Sequence, residues 1–292
     1  MNESRARLSR TSGGGGGFTL IELLVAMGVI AVLAVLTLMS MRGIANDARL
    51  ASATNSVKAA LDNARAMAMK NNTIVLVVFR PRLEGVHKQK QEVDIITAAW
   101  TGESYLNLND IDVIDRFVPI PDVAVRSIPA GIKIAAPLYG LDQDDVWITQ
   151  AHLPAIDQQT GNGEVPGAMI GVMYGPDGTT LSRNSQSDST RTWVDFLYDP
   201  TLGPLVRIDL TDVLPEDTSI ANFFDQRYED DETFVAIAPF LAVYDDDEAR
   251  ELRTTEWSNQ ADYEQELTGP LGYITQFADR IHFNRYTGVV MK

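Results

Sequence analysis

There is no cysteine in this 292-residue chain, so disulfides, thiol nucleophiles and thiolate zinc sites are all excluded. Whatever folds here is held by its core. Histidine is nearly as scarce: His87, His152 and His282 are the three, far apart in sequence. No His-Glu-x-x-His, Gly-x-Ser-x-Gly, phosphate-loop or dinucleotide fingerprint occurs, so we expect no enzyme activity and no catalytic residues. Positive charge is the third shortage. With 24 Lys and Arg against 40 Asp and Glu the net charge is −16, which argues against nucleic acid as a partner, because binding it needs a basic footprint. Proline is absent between residues 18 and 80, so a helix there carries no proline kink. No internal repeat of fixed period is present.

What the chain does have is one long apolar run behind a basic leader. Residues 18–41 are 24 in number and Glu22 is the only charged one. At about 1.5 Å per residue a helix of that length spans roughly 36 Å, enough for a bilayer core of about 30 Å. A carboxylate inside such a span costs about 2.5–3.5 kcal/mol, so Glu22 calls for a function and a partner. Ahead of the run, Arg5, Arg7 and Arg10 outnumber Glu3, which keeps the leader cytoplasmic and sends the rest of the chain across. Glycines 13–17 cannot hold a helix into the leader.

A polar leader ending in Gly17, then Phe18-Thr19-Leu20-Ile21-Glu22 and a long apolar helix, resembles the N-terminus of type IV pilins and pseudopilins. The resemblance implies cleavage after Gly17 by prepilin peptidase, N-methylation of Phe18, and assembly through Glu22 paired with the N-terminal amine of a neighbouring subunit. An amine and a carboxylate are each costly alone in hydrocarbon and cost less as a pair. It also implies a leader at 1–17, a transmembrane and spine helix at 18–70, and a periplasmic or extracellular β-rich head at 71–292. The protein would be single-pass in a bacterial inner membrane, N-terminus cytoplasmic and head periplasmic, and would enter a pseudopilus or pilus on assembly. Implied partners are prepilin peptidase, other pseudopilins or pilins, the inner-membrane assembly platform, membrane lipid and a secreted substrate. Loss of the leader, with three arginines and one glutamate, takes the charge from −16 to −18.

Past the apolar run, Leu50, Ala53, Val57, Ala60, Leu61, Ala64, Met67 and Ala68 recur at steps of three and four. This extends the helix to Asn71-Asn72, where Asn suits a left-handed cap. Strands are predicted at 74–79, 93–100, 132–135, 146–149, 169–174, 192–198 and 205–210, with turn chemistry at Gly175-Pro176-Asp177-Gly178. The chain closes in a hairpin turning at Gly288. The expected fold class is α+β, pilin-like: a long N-terminal spine helix, its first half transmembrane, packed on an antiparallel β-sheet head with large insertions at 101–167 and 200–279.

The run Ala64-Arg65-Ala66-Met67-Ala68-Met69-Lys70-Asn71-Asn72 enters a Val-rich strand, and an Ile-x-Val-x-Tyr-Gly-Pro-Asp-Gly-Thr-Thr turn follows at 170–180. With a terminal strand pair around Thr287-Gly288, these are similar to the H-type (GspH) minor pseudopilins of type II secretion and the FimT-like pilins. That likeness implies a structural minor pseudopilin supporting protein secretion. A minor type IV pilin for adhesion, motility or DNA uptake would carry the same N-terminus, and so would a solute-binding or sensory protein that borrows the leader. Arg280, Arg285 and Lys292 are the cations near the end that a DNA-binding head would use.

Two acidic clusters, 142–145 and 245–248, offer oxygen ligands, but Trp147 and Arg250 stand where a calcium loop needs its sixth-position glycine. Major pseudopilins often bind calcium in a C-terminal loop, so calcium stays open while no cofactor and no metal ligand is assigned. Residues 216–248 hold eleven acids and one arginine, which reads as a solvated, partner-facing stretch.

Overall fold

The structure, a computed structural model, describes residues 19–84, 90–107, 112–137, 147–150, 169–182, 190–196, 235–253, 264–284 and 286–291, and at 36–45, 83–84, 90–91, 103, 105–107, 112, 114, 190–191 and 264 the backbone alone. The chain forms two compact units, Met1–Asp47 and Ala48–Lys292.

Helix α1, Leu20–Asn71, begins in the first unit and ends in the second. Over residues 20–35, in the first unit, every described side chain but Glu22 is apolar or absent, and all are exposed, from Leu20 at 84% to Val35 at 55%. A helix apolar all round is a stable surface only against lipid or other helices. Among the described residues no helix is long and apolar enough to cross a membrane. The apolar run of the sequence reaches Met41, but its described side chains stop at 35, short of the roughly 20 residues a span requires.

In the second unit α1 has two different faces. Ala53, Val57, Ala60, Leu61, Ala64 and Ala68 are buried, while Ala51, Ser52, Asn55 and Ala59 are exposed. The helix ends as its asparagines suggest: Asn72 takes a left-handed φ of 51°, and Thr73 N–H donates to the Ala68 carbonyl at 3.2 Å.

Thirteen strands follow among the described residues, in two sheets. The first contains β1 (Val75–Glu84), β2 (Lys90–Asn107), β3 (Asp112–Pro119), β4 (Arg126–Ile128), β7 (Ile170–Tyr174), β8 (Thr180–Leu181), β9 (Thr190–Val194) and β10 (Ala236–Ile237). Its order is β10-β7-β1-β2-β3-β9, with β4 on the free length of β2 and β8 on β7. The second runs β13-β12-β11-β5-β6, from β5 (Ile132–Pro137), β6 (Trp147–Thr149), β11 (Phe240–Asp245), β12 (Asp279–Phe283) and β13 (Val290–Met291).

Residues 75–79 of β1, with β7 and β11, are buried on both faces, which is why they read as unbroken apolar runs. One face of each sheet shares a core with α1: Val75, Val77 and Phe79 from β1, Ile170 and Val172 from β7, Ile134 from β5, Val243 from β11 and Ile281 from β12. The alternate residues of the first sheet, Leu76, Val78, Ala98, Phe117, Met173 and Val194, form a second cluster with Val235 and Ile237. That cluster is enclosed because the sheet curls until its ends meet. Val235, one residue before β10, donates to the Thr192 carbonyl of β9, the strand at the opposite edge, at 2.9 Å. Gly171 of β7 makes room for the closure, since a Cβ there would stand 2.7 Å from Val235 Cγ1.

The outer face of the second sheet, with Ala135, Ala242 and Tyr244, is covered by α2 (Asp246–Leu252), a π-helical turn at Glu264–Thr268, and α3 (Tyr273–Phe277). One buried side chain hydrogen-bonds to both sheets. Gln150 Nε2 donates to the Phe79 carbonyl of β1 at 2.6 Å, and its Oε1 accepts from the Ile134 N–H of β5 at 3.2 Å.

The α+β class with an N-terminal helix is observed, but the head departs from one antiparallel sheet with insertions. There are two sheets, and β3–β9 and β7–β10 pair in parallel. Parallel partners need long crossovers, and these run through stretches that read as inserted sequence. Segments 101–167 and 200–279 supply β3 to β6, β10, β11, α2 and α3, so they build the head. The strand expected at 205–210 lies outside the described residues.

Candidate functional site: the N-terminal turn

Gly17 and Phe18 lie outside the described residues, which begin at Thr19, the residue before α1. Glu22 sits in the first turn of that helix, where the free N–H groups and the helix dipole favour an anion. Glu22 Oε2 accepts from both Thr19 N–H and Thr19 Oγ1–H at 2.9 Å, and Glu22 N–H donates back to Thr19 Oγ1 at 3.3 Å. Leu23 N–H reaches the Thr19 carbonyl at 3.2 Å, closing the first helical turn. This is a capping box: two end N–H groups that α1 cannot satisfy internally each donate to the other residue's side chain. Both bonds to the carboxylate fall on Oε2, and Glu22 is exposed.

Thr19 completes this turn, and the sequence pattern alone can find it. Its signal was present, a Thr three residues before a Glu at the head of an apolar run.

The acidic cluster of the head has structural work at each position. Asp245 caps α2, accepting from Asp247 N–H at 3.0 Å and Glu248 N–H at 3.1 Å. Asp246 pairs with Arg250 at 2.8 Å, Asp247 with Arg49 at 3.6 Å, and Glu248 accepts from the Tyr273 hydroxyl at 2.9 Å. Among the described residues no group of three or more His, Asp or Glu is arranged to hold a metal. The other cluster, 142–145, lies outside them. Beside Asp246, burial pushes the Lys133 ammonium down to about 8, against the attraction of that carboxylate.

Of the histidines, His87 and His152 lie outside the described residues, and His282 stacks on Phe240 with ring centroids 5.1 Å apart. Arg280 donates to the Thr275 carbonyl at 2.8 Å and lies over the Trp147 ring at 5.7 Å, whereas Arg285 and Lys292 lie outside the described residues.

Residues 16–38 match the prokaryotic N-terminal methylation motif, the signal carried by type IV pilins and pseudopilins. The match brackets Gly17, Phe18 and the Thr19–Glu22 turn, and it supports a type IV pilin-like protein that is processed by prepilin peptidase and assembles with other pilins. No curated protein and no solved structure matches the chain.

Proposed function

We propose that this chain is a structural minor pseudopilin of a type II secretion pseudopilus, without enzyme activity, and that it works by assembly. Prepilin peptidase cuts after Gly17 and methylates Phe18. The helix from Phe18 holds the chain in the inner membrane, single-pass, with its head periplasmic. The assembly platform then moves it into a fibre, where helices bundle. The single observation that carries this reading is the methylation motif at 16–38 around the capped Glu22.

The capping box needs only residues 19–22, so it survives the cut and puts the Glu22 carboxylate beside the new terminus. The exposed outer face of α1 around Ala51, Ser52, Asn55 and Ala59 is small, which permits close approach of neighbouring helices. An acidic chain at −16 supports secretion over DNA uptake.

The test is deletion in the native host with complementation. Loss of protein secretion, restored by the wild-type chain and not by Glu22→Ala, supports the reading. Intact secretion with lost adhesion, motility or transformation would transfer the chain to a type IV pilus.

A further inference from the structure

Every polar group of Thr19 is engaged in ending α1. Its carbonyl accepts from Leu23 N–H at 3.2 Å, and its own N–H donates to Glu22 Oε2 at 2.9 Å. Its hydroxyl donates to the same oxygen at 2.9 Å and accepts from Glu22 N–H at 3.3 Å. In a helix that ran on toward the leader, Thr19 N–H would instead donate to the carbonyl four residues before it. The Glu22 carboxylate takes that donor, so the ladder stops here and α1 begins at Leu20.

The sequence offers a rival starting point two residues earlier. Gly17 could cap a slightly longer helix, since glycine ranks beside threonine as a cap and far above alanine, valine or leucine. Glu22 decides between the two. Three residues after Thr19 it returns the second bond of the box, whereas three residues after Gly17 stands Leu20, which cannot. In a helix capped at Gly17, the Gly17 carbonyl would accept from Ile21 N–H and Phe18 would be the first helical residue. That carbonyl is the one a peptidase cutting after Gly17 must attack. A peptide bond held in a helical turn is open to a protease only from its locally unfolded state.

We propose that Thr19 is a positioning residue for the cut: by fixing the start of α1 at Leu20 it keeps the Gly17 carbonyl out of the helix and open to prepilin peptidase. This inference rests on the processing reading given above. Thr19 acts on the precursor by choosing between two helix starts, and it need not touch the enzyme. After the cut Gly17 is gone, so loss of the cap then only frays the mature helix.

The experiment follows cleavage of the full chain in detergent micelles by purified prepilin peptidase, with precursor and product masses read over time. Thr19→Val keeps the shape of the side chain but is a poor cap. It should raise KM about fivefold with kcat unchanged, because only precursor whose helix starts at Leu20 is competent. Thr19→Ser and Thr19→Asn should be cut as the wild type is, because both cap, although asparagine differs from threonine in shape. In the uncut precursor, the NMR backbone shifts of Phe18 should move toward helical values in Thr19→Val and not in Thr19→Asn. Equal KM for wild type and Thr19→Val would overturn the proposal. So would cleavage of Thr19→Asn as slow as that of Thr19→Val, which would mean that the peptidase reads threonine itself. A wild-type chain left intact by the peptidase would overturn the processing reading, and this inference with it.

Discussion

Gly288, in the closing turn, lies so tightly on the backbone carbonyl of Gly178 that a Cβ there would overlap the oxygen. Both glycines have left-handed φ, +64° and +78°, and Arg65 of α1 ties their turns together from one Nε, at 3.1 Å to the Gly178 carbonyl and 2.7 Å to that of Thr287. The Pro-Asp-Gly turn and the chain's end are thus one joint on the helix. Gly288→Ala should destabilise the second unit by about 2–4 kcal/mol, combining left-handed strain with overpacking. The check is urea unfolding of a chain beginning at Ala45, and an unchanged midpoint would show that the two turns do not depend on each other.

Gln150→Leu tests the joint between the sheets. It keeps the volume but leaves the Phe79 carbonyl and the Ile134 N–H buried without this partner. The expected loss is about 2–4 kcal/mol, because each orphaned buried group costs about 1–3 kcal/mol. A loss under about 0.5 kcal/mol, within the usual range for surface changes, would contradict the assigned role.

Several of these elements are readable in the chain and others are not, for physical reasons. The Asn72 cap, β1, β7 and the Gly178 turn depend on neighbours in sequence, and local chemistry announced them. Strand β3 reads as polar because Asp115 and Arg116 lie in it, yet both are buried, and Arg116 is paired with Asp195 at 2.6 Å. The acidic stretch at 245–248 reads as a solvated face, yet Asp246 is buried and Asp245 is a helix cap. Closure of the first sheet rests on Thr192 meeting Val235 across 43 positions, which no periodicity reports. At the N-terminus both the motif and the Thr19 half of the capping box are legible, because each depends on residues within one helical turn.

Lys133 should make stability depend on pH. Its folded value of about 8 is below the ordinary lysine range because burial disfavours the charged form. Between about 8 and 10.5 the unfolded chain therefore binds more protons, and stability rises with pH across that window, by up to about 3 kcal/mol. Tyr174 and Tyr273, both pushed up by burial, act in the opposite direction above the ordinary tyrosine range, so stability falls again there. Unfolding midpoints of wild type and Lys133→Met should differ most near pH 7 and converge toward pH 10. Parallel curves would exclude the lysine as the cause.

At the N-terminal turn, Thr19→Val removes the hydroxyl that both donates to and accepts from Glu22. Loss of a cap costs about 1 kcal/mol, so amide exchange of Leu23 should quicken about fivefold in nanodiscs while residues 53–68 stay unchanged. Glu22→Ala should still give a processed, membrane-bound chain that enters fibres poorly. Fibre entry at the wild-type level would mean that the carboxylate is not needed for docking.

The central claim is that Gly17 and Phe18 flank a processing site. Intact-mass spectrometry of the protein extracted from the membranes of a host with prepilin peptidase tests it most directly. The account predicts a chain lacking residues 1–17 and beginning at N-methylated Phe18. A full-length chain with Met1 and its leader in place, in a host whose peptidase is active on another substrate, would contradict it.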